Sequence, residues 1–236
     1  MTADTNNKKV SGRADLYARR LANREGIRQW YLRERGQRVI RALAKNGFAA
    51  LYADSSEEAA GLVLDLIPPG AAIGLGGSMT LREIGVPEVL AARGHTLFDH
   101  WKAGLTPEEV MATRRAQLTC DVFLTSVNAL TADGQLVCCD GAGNRVSAMT
   151  FGPKKVVVVV GANKIVNDLD AAFRRIKDVA APQALSDIGL EIPCVKVGSC
   201  QDCDSPARGC RVTLIMERKP YNTDITVVVV GKALGF

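Results

Sequence analysis

Five consecutive valines occupy positions 156–160, between Lys155 and Gly161. β-Branched residues at every position favour a strand over a helix, and the lack of polar alternation means that neither face can meet water. Such a strand needs cover on both sides, as it has inside a parallel sheet flanked by helices. The rest of the chain agrees. Strand signals at 48–52, 71–75, 96–98 and 122–124 alternate with helical stretches opened by cap residues such as Ser55 and Thr106. Val212–Met216 and 225–230 read as two closing strands, antiparallel neighbours across a Lys219-Pro-Tyr-Asn222 turn. The expected fold class is therefore α/β: a Rossmann-like, mostly parallel sheet with helices on both faces and an antiparallel edge.

A chain of 236 residues makes one sizeable domain, or one domain with an appendage. Charge locates the appendage. Residues 1–50 hold twelve Lys/Arg and four Asp/Glu, a net of +8; the remainder holds eighteen and twenty-one, a net of −3, which together give +5. From about Arg13 to Asn46 the pattern is helical, with Tyr17 and Leu21, Ile27 and Tyr31, and Val39 and Leu43 recurring at i, i+4. Gly26 and Gly36 are expected to divide this stretch into two or three helices, and Gly47 to end it. The chain thus divides into a basic helical N-terminal arm, 1–47, frayed over its polar first eleven residues, and an α/β domain, 48–236. The arm is expected to pack on the domain or on a second subunit of a homo-oligomer; an acidic protein partner is the lesser alternative. No aromatic-studded sheet or DNA-reading motif accompanies the charge, which argues against nucleic acid. No apolar run is long enough to cross a bilayer, and residues 1–9 lack an apolar signal core, so a cytoplasmic protein without a membrane partner is expected.

Two glycine-rich turns carry the chemistry. Residues 71–80 read as a strand, a glycine turn and a helix opening at Ser78 or Thr80. Bare amides at such a turn suit a phosphate or carboxylate, which makes Gly74, Gly76, Gly77, Ser78 and Thr80 candidate anion ligands. The pattern Gly-x-Gly-Gly-Ser-x-Thr is neither a dinucleotide fingerprint nor a Walker A loop, and a tight turn without ligand is the plainer reading. The second turn belongs to residues 125–145. Asp133-Gly134 marks a hairpin, and its return strand ends in Asp140-Gly-Ala-Gly-Asn144-Arg145. Asn128, Asp133, Gly141, Gly143 and Asn144 are expected on the opposite wall of the site. Lys164 joins them, because it follows the valine strand at its C-terminal end, where open α/β sheets bind ligands. Asp140, a carboxylate beside a glycine loop, is the candidate general base. His100 and Trp101 are read as loop packing, and with only two histidines a histidine-based triad or metal site has little support.

Seven cysteines in a reducing compartment argue against a disulfide framework. Cys194, Cys200, Cys203 and Cys210 fall in a single segment, 193–211, with the spacing C-x5-C-x2-C-x6-C. Four thiolates suit tetrahedral zinc or an iron–sulfur cluster; a redox-active thiol pair and incidental free cysteines are the alternatives. Cys138 and Cys139, adjacent on a strand, face opposite sides and make a poor joint site. Both are read as small core residues, as is Cys120.

The run Gly-Leu-Gly-Gly-Ser-Met-Thr, the stretch Thr-Ser-Val-Asn-Ala-Leu-Thr-Ala-Asp-Gly, the loop Asp-Gly-Ala-Gly-Asn-Arg-Val, the valine strand with its Gly-Ala-Asn-Lys-Ile-Val extension and the cysteine run occur in that order. Together they resemble the LUD-domain (lactate-utilization, LutC/YkgG-type) family over roughly residues 25–236, and the cysteine run resembles a stand-alone branch of it. The resemblance implies a NagB/RpiA/CoA-transferase-like fold. It also implies an association with oxidation of L-lactate to pyruvate beside iron–sulfur oxidoreductase subunits. The chain lacks the ferredoxin-type cysteine repeats of the larger LUD-containing partner. The layout is also similar to ribose-5-phosphate isomerase, which carries a lysine in its second glycine loop and a glutamate shortly after. Residues 140–145 contain neither, so an anion-binding role carries over and that isomerisation does not.

Three readings stay open. The first is a LUD-domain protein that binds a small anionic metabolite (a hydroxy acid, a phosphosugar or an acyl-CoA-like group), linked to L-lactate utilization and with or without turnover. The second is a metal- or iron–sulfur-binding redox accessory subunit of an oxidoreductase. The third is a non-catalytic metabolite-sensing module.

Overall fold

The computed structural model describes residues 16–236; the polar start at 1–11 and the Arg13 onset of the arm lie outside them. The arm helix α1 (Arg24–Lys45) runs through Gly26 and Gly36 without a break. Its interruption falls at Asn23 instead. Packing explains the continuity. Gly36, Val39 and Leu43 are buried, and Gly36 lies against the ring of Tyr52 on β1 (Ala49–Ala53). A Cβ at Gly36 would stand 2.8 Å from Tyr52 Cδ2, inside van der Waals contact. Gly36→Ala is therefore expected to destabilise the protein by ~1–3 kcal/mol through overpacking, which outweighs the ~1 kcal/mol that alanine adds in helix propensity. Urea unfolding checks this as a lowered midpoint at unchanged slope.

The chain continues through α2 (Ser56–Asp65), β2 (Ile73–Leu75), α3 (Met79–Glu83), α4 (Val86–Ala92), β3 (Leu97–Asp99) and α5 (Pro107–Ala116). Next come β4 (Val122–Thr125), β5 (Ala129–Thr131), β6 (Leu136–Asp140), α6 (Asn144–Thr150), β7 (Lys155–Gly161) and β8 (Ile165–Val166). Then α7 (Leu169–Arg175), a π turn (Ile176–Ala180), α8 (Ala181–Asp187) and α9 (Pro193–Val197) lead to β9 (Val212–Met216) and β10 (Asp224–Val230). Pro182 does not end the helix before it. The chain passes through the π turn straight into α8, with Pro182 in the first turn of α8, where a missing N–H is tolerated.

Six strands form a fully parallel sheet in the order β1-β10-β7-β4-β2-β3. The valine strand β7 is at its centre. Val156, Val158 and Val160 enter a core shared with Val39 and Leu43 of α1 and Met149 of α6. Val157 and Val159 enter the opposite core with Val63, Leu81 and Leu90 of α2, α3 and α4. Helices on both faces satisfy the demand that the valine run makes.

The two closing strands are not neighbours. β10 inserts between β1 and β7, parallel to both, and all but its first residue are buried. β9 instead joins a second sheet, β8-β5-β6-β9, antiparallel to β6. The reason lies in the side chains. A run buried on both faces belongs inside a parallel sheet, whereas β9 exposes Val212, Thr213 and Ile215 and can serve only at an edge. The hairpin itself forms as β5 and β6.

Candidate functional site

β2 is hydrogen-bonded to β3 on one side and β4 on the other, so the chain leaves it outward and returns across it. A crevice opens at the C-terminal ends of strands at such a reversal. Here it widens into a cavity of about 460 Å³ between the main sheet, the small sheet and the segment 206–211. Gly77, Ser78, Asn128, Gly141, Asn144 and Lys164 line it, together with Asp140. Residues from four separated stretches of sequence thus meet in one place.

Other candidates have different positions. Gly74 and Gly76 lie behind the cavity wall, where a Cβ would collide with Phe123, at 2.9 Å from Gly74, and with Thr125 Oγ1, at 2.8 Å from Gly76. They are glycine because strands and side chains pack there. Thr80 stands one layer back and holds Lys164. Gly143 caps α6 with φ of 82°. Asp133 sits in the β5–β6 turn, where its carbonyl accepts a 2.8 Å hydrogen bond from Asn46 Nδ2 of the arm, and it does not line the cavity. The helix that opens at Ser78 spans only Met79–Glu83, too short for much of a dipole; Ser78 Oγ accepts from the Leu81 N–H at 3.4 Å. The positive character of the site comes from side chains instead.

Lys164 is the first of these. Only 4% exposed, it donates to Thr80 Oγ1 at 2.8 Å and Ser126 Oγ at 3.0 Å. Both partners are neutral, and among the described residues Lys164 forms no ion pair. Burial, followed by the nearby Arg175 and Arg145, pushes its pKa down to about 7. A lysine in that range carries a proton or an electron pair with nearly equal ease, which suits it to bind an anion, to exchange a proton or to attack a carbonyl. Arg114, on α5, also lines the cavity, and its Nε is buried without a hydrogen-bond partner among the described residues.

Arg145 is the third cation. Its Nε donates to Asp140 Oδ1 at 2.8 Å, while Nη2 donates to Asn128 Oδ1 at 2.8 Å and to the Cys139 carbonyl at 2.9 Å. Asp140 is fully engaged in return, because its Oδ2 accepts the Val146 N–H at 3.0 Å. That geometry suits a carboxylate that anchors a guanidinium better than one free to take a proton from a ligand. Trp101 forms a flat part of the wall, with the Arg82 guanidinium 5.1 Å from its ring centre on a side chain tied to Asp99. His100 is buried; its Nδ1 is 2.9 Å from Gln117 Nε2, and burial, then Arg114, lowers its pKa and keeps it neutral. Arg114, Arg145 and Trp101 are absent from the sequence-based candidates. Only Arg145 had a local signal, its place directly after the glycine loop.

The cysteines divide. Cys138 points into the core, with its thiol 3.7 Å from Met149 Sδ, and burial raises its pKa to about 11. Cys139 faces the cavity instead. The neighbouring Cys210 thiol brings Cys139 down to about 7 against the opposing effect of burial. Cys194, Cys200, Cys203 and Cys210 line a second, small cavity of about 20 Å³ beside α8. Arg208 staples this loop by donating to the carbonyls of Cys203 at 2.7 Å and Cys210 at 2.9 Å. Among the described residues, no three His, Cys, Asp or Glu side chains are grouped as ligands for one ion. The donor types suit zinc or an iron–sulfur cluster, and all four cysteines line this one small cavity.

Comparison with known proteins gives one family. The family model described as LUD domain matches residues 36–230. Among solved structures, a DUF162 family protein from Deinococcus radiodurans is similar at 13% identity with a TM-score of 0.48, over 84% of this chain and 98% of that one. No curated protein matches. Among the described residues, no helix is long and apolar enough to cross a membrane.

Proposed function

This chain belongs to the LUD-domain family, and we propose that it binds a small organic anion in the cavity at the C-terminal ends of β2 and β4. One observation carries the reading: Lys164 and Arg114 line the same cavity, and neither forms an ion pair among the described residues. A buried cation without a counter-ion is costly, and an anionic ligand supplies the missing charge. Arg145, fixed by Asp140, adds to the positive field, and Trp101 offers an apolar face for the rest of the ligand. A volume of about 460 Å³ is typical of metabolite sites. The resemblance to lactate-utilization proteins makes L-lactate the first anion to try, and the size of the cavity brings in phosphosugars and acyl-bearing anions. Lys164 is the group through which binding and any proton transfer are coupled.

Thermal unfolding against a panel of L-lactate, pyruvate, ribose 5-phosphate and neutral glycerol tests this. An anion at 100 times its Kd is expected to stabilise by ~2.7 kcal/mol, a rise on the order of 5–10 °C in Tm for a protein of this size. Glycerol is expected to do nothing. Equal responses to anions and glycerol, or an anion response that survives Lys164→Met unchanged, would remove the proposal.

A further inference from the structure

Lys164 closes a short 3-10 turn (Ala162–Lys164) directly after β7, and the backbone there is pinned. The Ala162 N–H donates to the Lys232 carbonyl at 2.8 Å, Asn163 Oδ1 accepts the Leu234 N–H at 3.1 Å, and the Asn163 carbonyl accepts from Arg175 Nε at 3.1 Å. The side-chain nitrogen is oriented as well. The hydroxyls of Thr80 and Ser126 donate their own protons to the carbonyls of Leu234 and Val127. Toward Lys164 they therefore present lone pairs and accept two of its N–H groups. With Cε on a third side, the nitrogen keeps one tetrahedral position uncommitted. In the neutral amine that position is the electron pair, and neither hydroxyl caps it. Lys164 and Ser126 both line the large cavity. Guanidinium groups stand close by. Arg145 Nη1 reaches the Ser126 carbonyl at 3.4 Å, and the buried Nε of Arg114 has no hydrogen-bond partner among the described residues. A carbonyl carbon with a carboxylate beside it suits this pairing of a nucleophile with cations.

We propose that Lys164 is a nucleophile that captures 2-oxo acids as a Schiff base, an inference that rests on the cavity being an anion site. The amine nitrogen bonds to C2 of the 2-oxo acid, and the C=O π pair moves to oxygen. That oxygen takes a proton that the nitrogen gives up, relayed by Ser126 Oγ. The resulting hydroxyl leaves as water with a proton from solvent, and the nitrogen pair closes the C=N bond. One amine, one ketone and one proton become one protonated imine and one water, with no electrons gained or lost. The protonated imine keeps the positive charge that faces the carboxylate. A 2-hydroxy acid such as L-lactate lacks the electrophilic carbon and binds through its charge alone. Burial, then Arg175 and Arg145, holds Lys164 at about 7, so a large share of it is free amine near neutral pH.

The test uses the full chain, pyruvate and sodium cyanoborohydride, which reduces imines near neutral pH and leaves ketones alone. Intact mass and peptide mapping are expected to show a carboxyethyl group on Lys164. It is expected to form on the order of 10- to 100-fold faster than on surface lysines, because a lysine at its ordinary pKa of about 10.4 holds little free amine near neutral pH. Acetone, a ketone without a carboxylate, is expected to modify Lys164 at least ~10-fold more slowly, through loss of a charge-assisted contact. Adducts spread evenly over surface lysines would overturn the proposal, as would acetone matching pyruvate. Melting curves without reductant separate the Schiff base from anion binding. Pyruvate that raises Tm but leaves no adduct on Lys164 ends the Schiff base and leaves anion binding standing. No adduct, with no rise in Tm from any anion of the panel, ends both. Lys164→Arg keeps a cation that cannot form an imine, and it is expected to retain the anion response and lose the adduct. Mapping on the unmodified chain decides the matter even where that variant fails to fold.

Discussion

Lys164→Met is expected to weaken anion binding by ~10- to 100-fold and yet to raise thermal stability near pH 7. The loss follows from removing a charge-assisted hydrogen bond to the ligand, worth ~1.5–3 kcal/mol. The gain follows from the site. The ammonium is buried near Arg145 and Arg175, which outweigh the more favourable field of Glu83, and it forms no ion pair among the described residues; methionine fills similar space with no charge to desolvate. Thr80 and Ser126 lose a donor but keep outlets of their own, since their hydroxyls donate to the carbonyls of Leu234 and Val127 at 3.4 Å. The pH dependence gives the sharper reading. In the unfolded chain a lysine titrates at about 10.4; in the fold Lys164 does so at about 7. Between these values the unfolded state holds more protons, so this group makes stability rise with pH, by up to ~1.4 kcal/mol per unit. Below about 7 its contribution is flat and at its least favourable. Melting curves from about pH 6 to about pH 10 are therefore expected to converge for the two proteins as pH rises through the window. Parallel curves would mean that Lys164 titrates normally and that its role here is misread. Binding runs the other way: affinity for a fixed-charge anion is expected to fall as pH rises through about 7 and the ammonium is lost.

How much of this was legible in the sequence depended on whether the signal was local. The valines at 156–160 carry their own demand for cover on both faces, and the α/β class follows from that alone. Caps at Ser55, Thr106 and Asp168 are local hydrogen bonds, and each one forms. The placement of β9 and β10 is not local. Adjacent strands joined by a Pro-containing turn look like a hairpin, and only competition for the slot between β1 and β7 sends β10 elsewhere. The site shows the same contrast. The glycine turn and Lys164 stand at strand ends, which sequence can mark. Arg114 lies on a helix whose pattern gives no hint of a cavity, and its relevance appears only when α5 packs beside Trp101. Asp133 shows the opposite failure: a well-read turn, placed by the hairpin at the end away from the cavity.

Arg145→Met is expected to be the most destabilising change at the site, by ~3–5 kcal/mol, or on the order of 10 °C in Tm. The guanidinium is the shared donor to Asp140, Asn128 and two backbone carbonyls, at Cys139 and Ser126. Removing it strands a carboxylate that is only 7% exposed at its side chain, and a stranded buried charge costs far more than the pair contributes. Asp140→Asn alone keeps an acceptor for the Val146 N–H and neutralises the charge, so a loss of only ~1–3 kcal/mol is expected. The double variant should then be more stable than the sum of the two losses by at least ~1 kcal/mol, because neither charge is left alone. A thermodynamic cycle on these four proteins separates two roles for Asp140. If the carboxylate anchors Arg145, the coupling is large and Asp140→Asn lowers Tm. If it is poised as a general base, Asp140→Asn leaves Tm and the coupling near zero and removes turnover instead. Both oxygens of Asp140 are already spoken for, by a guanidinium and a helix N–H, and that is why the first outcome is expected.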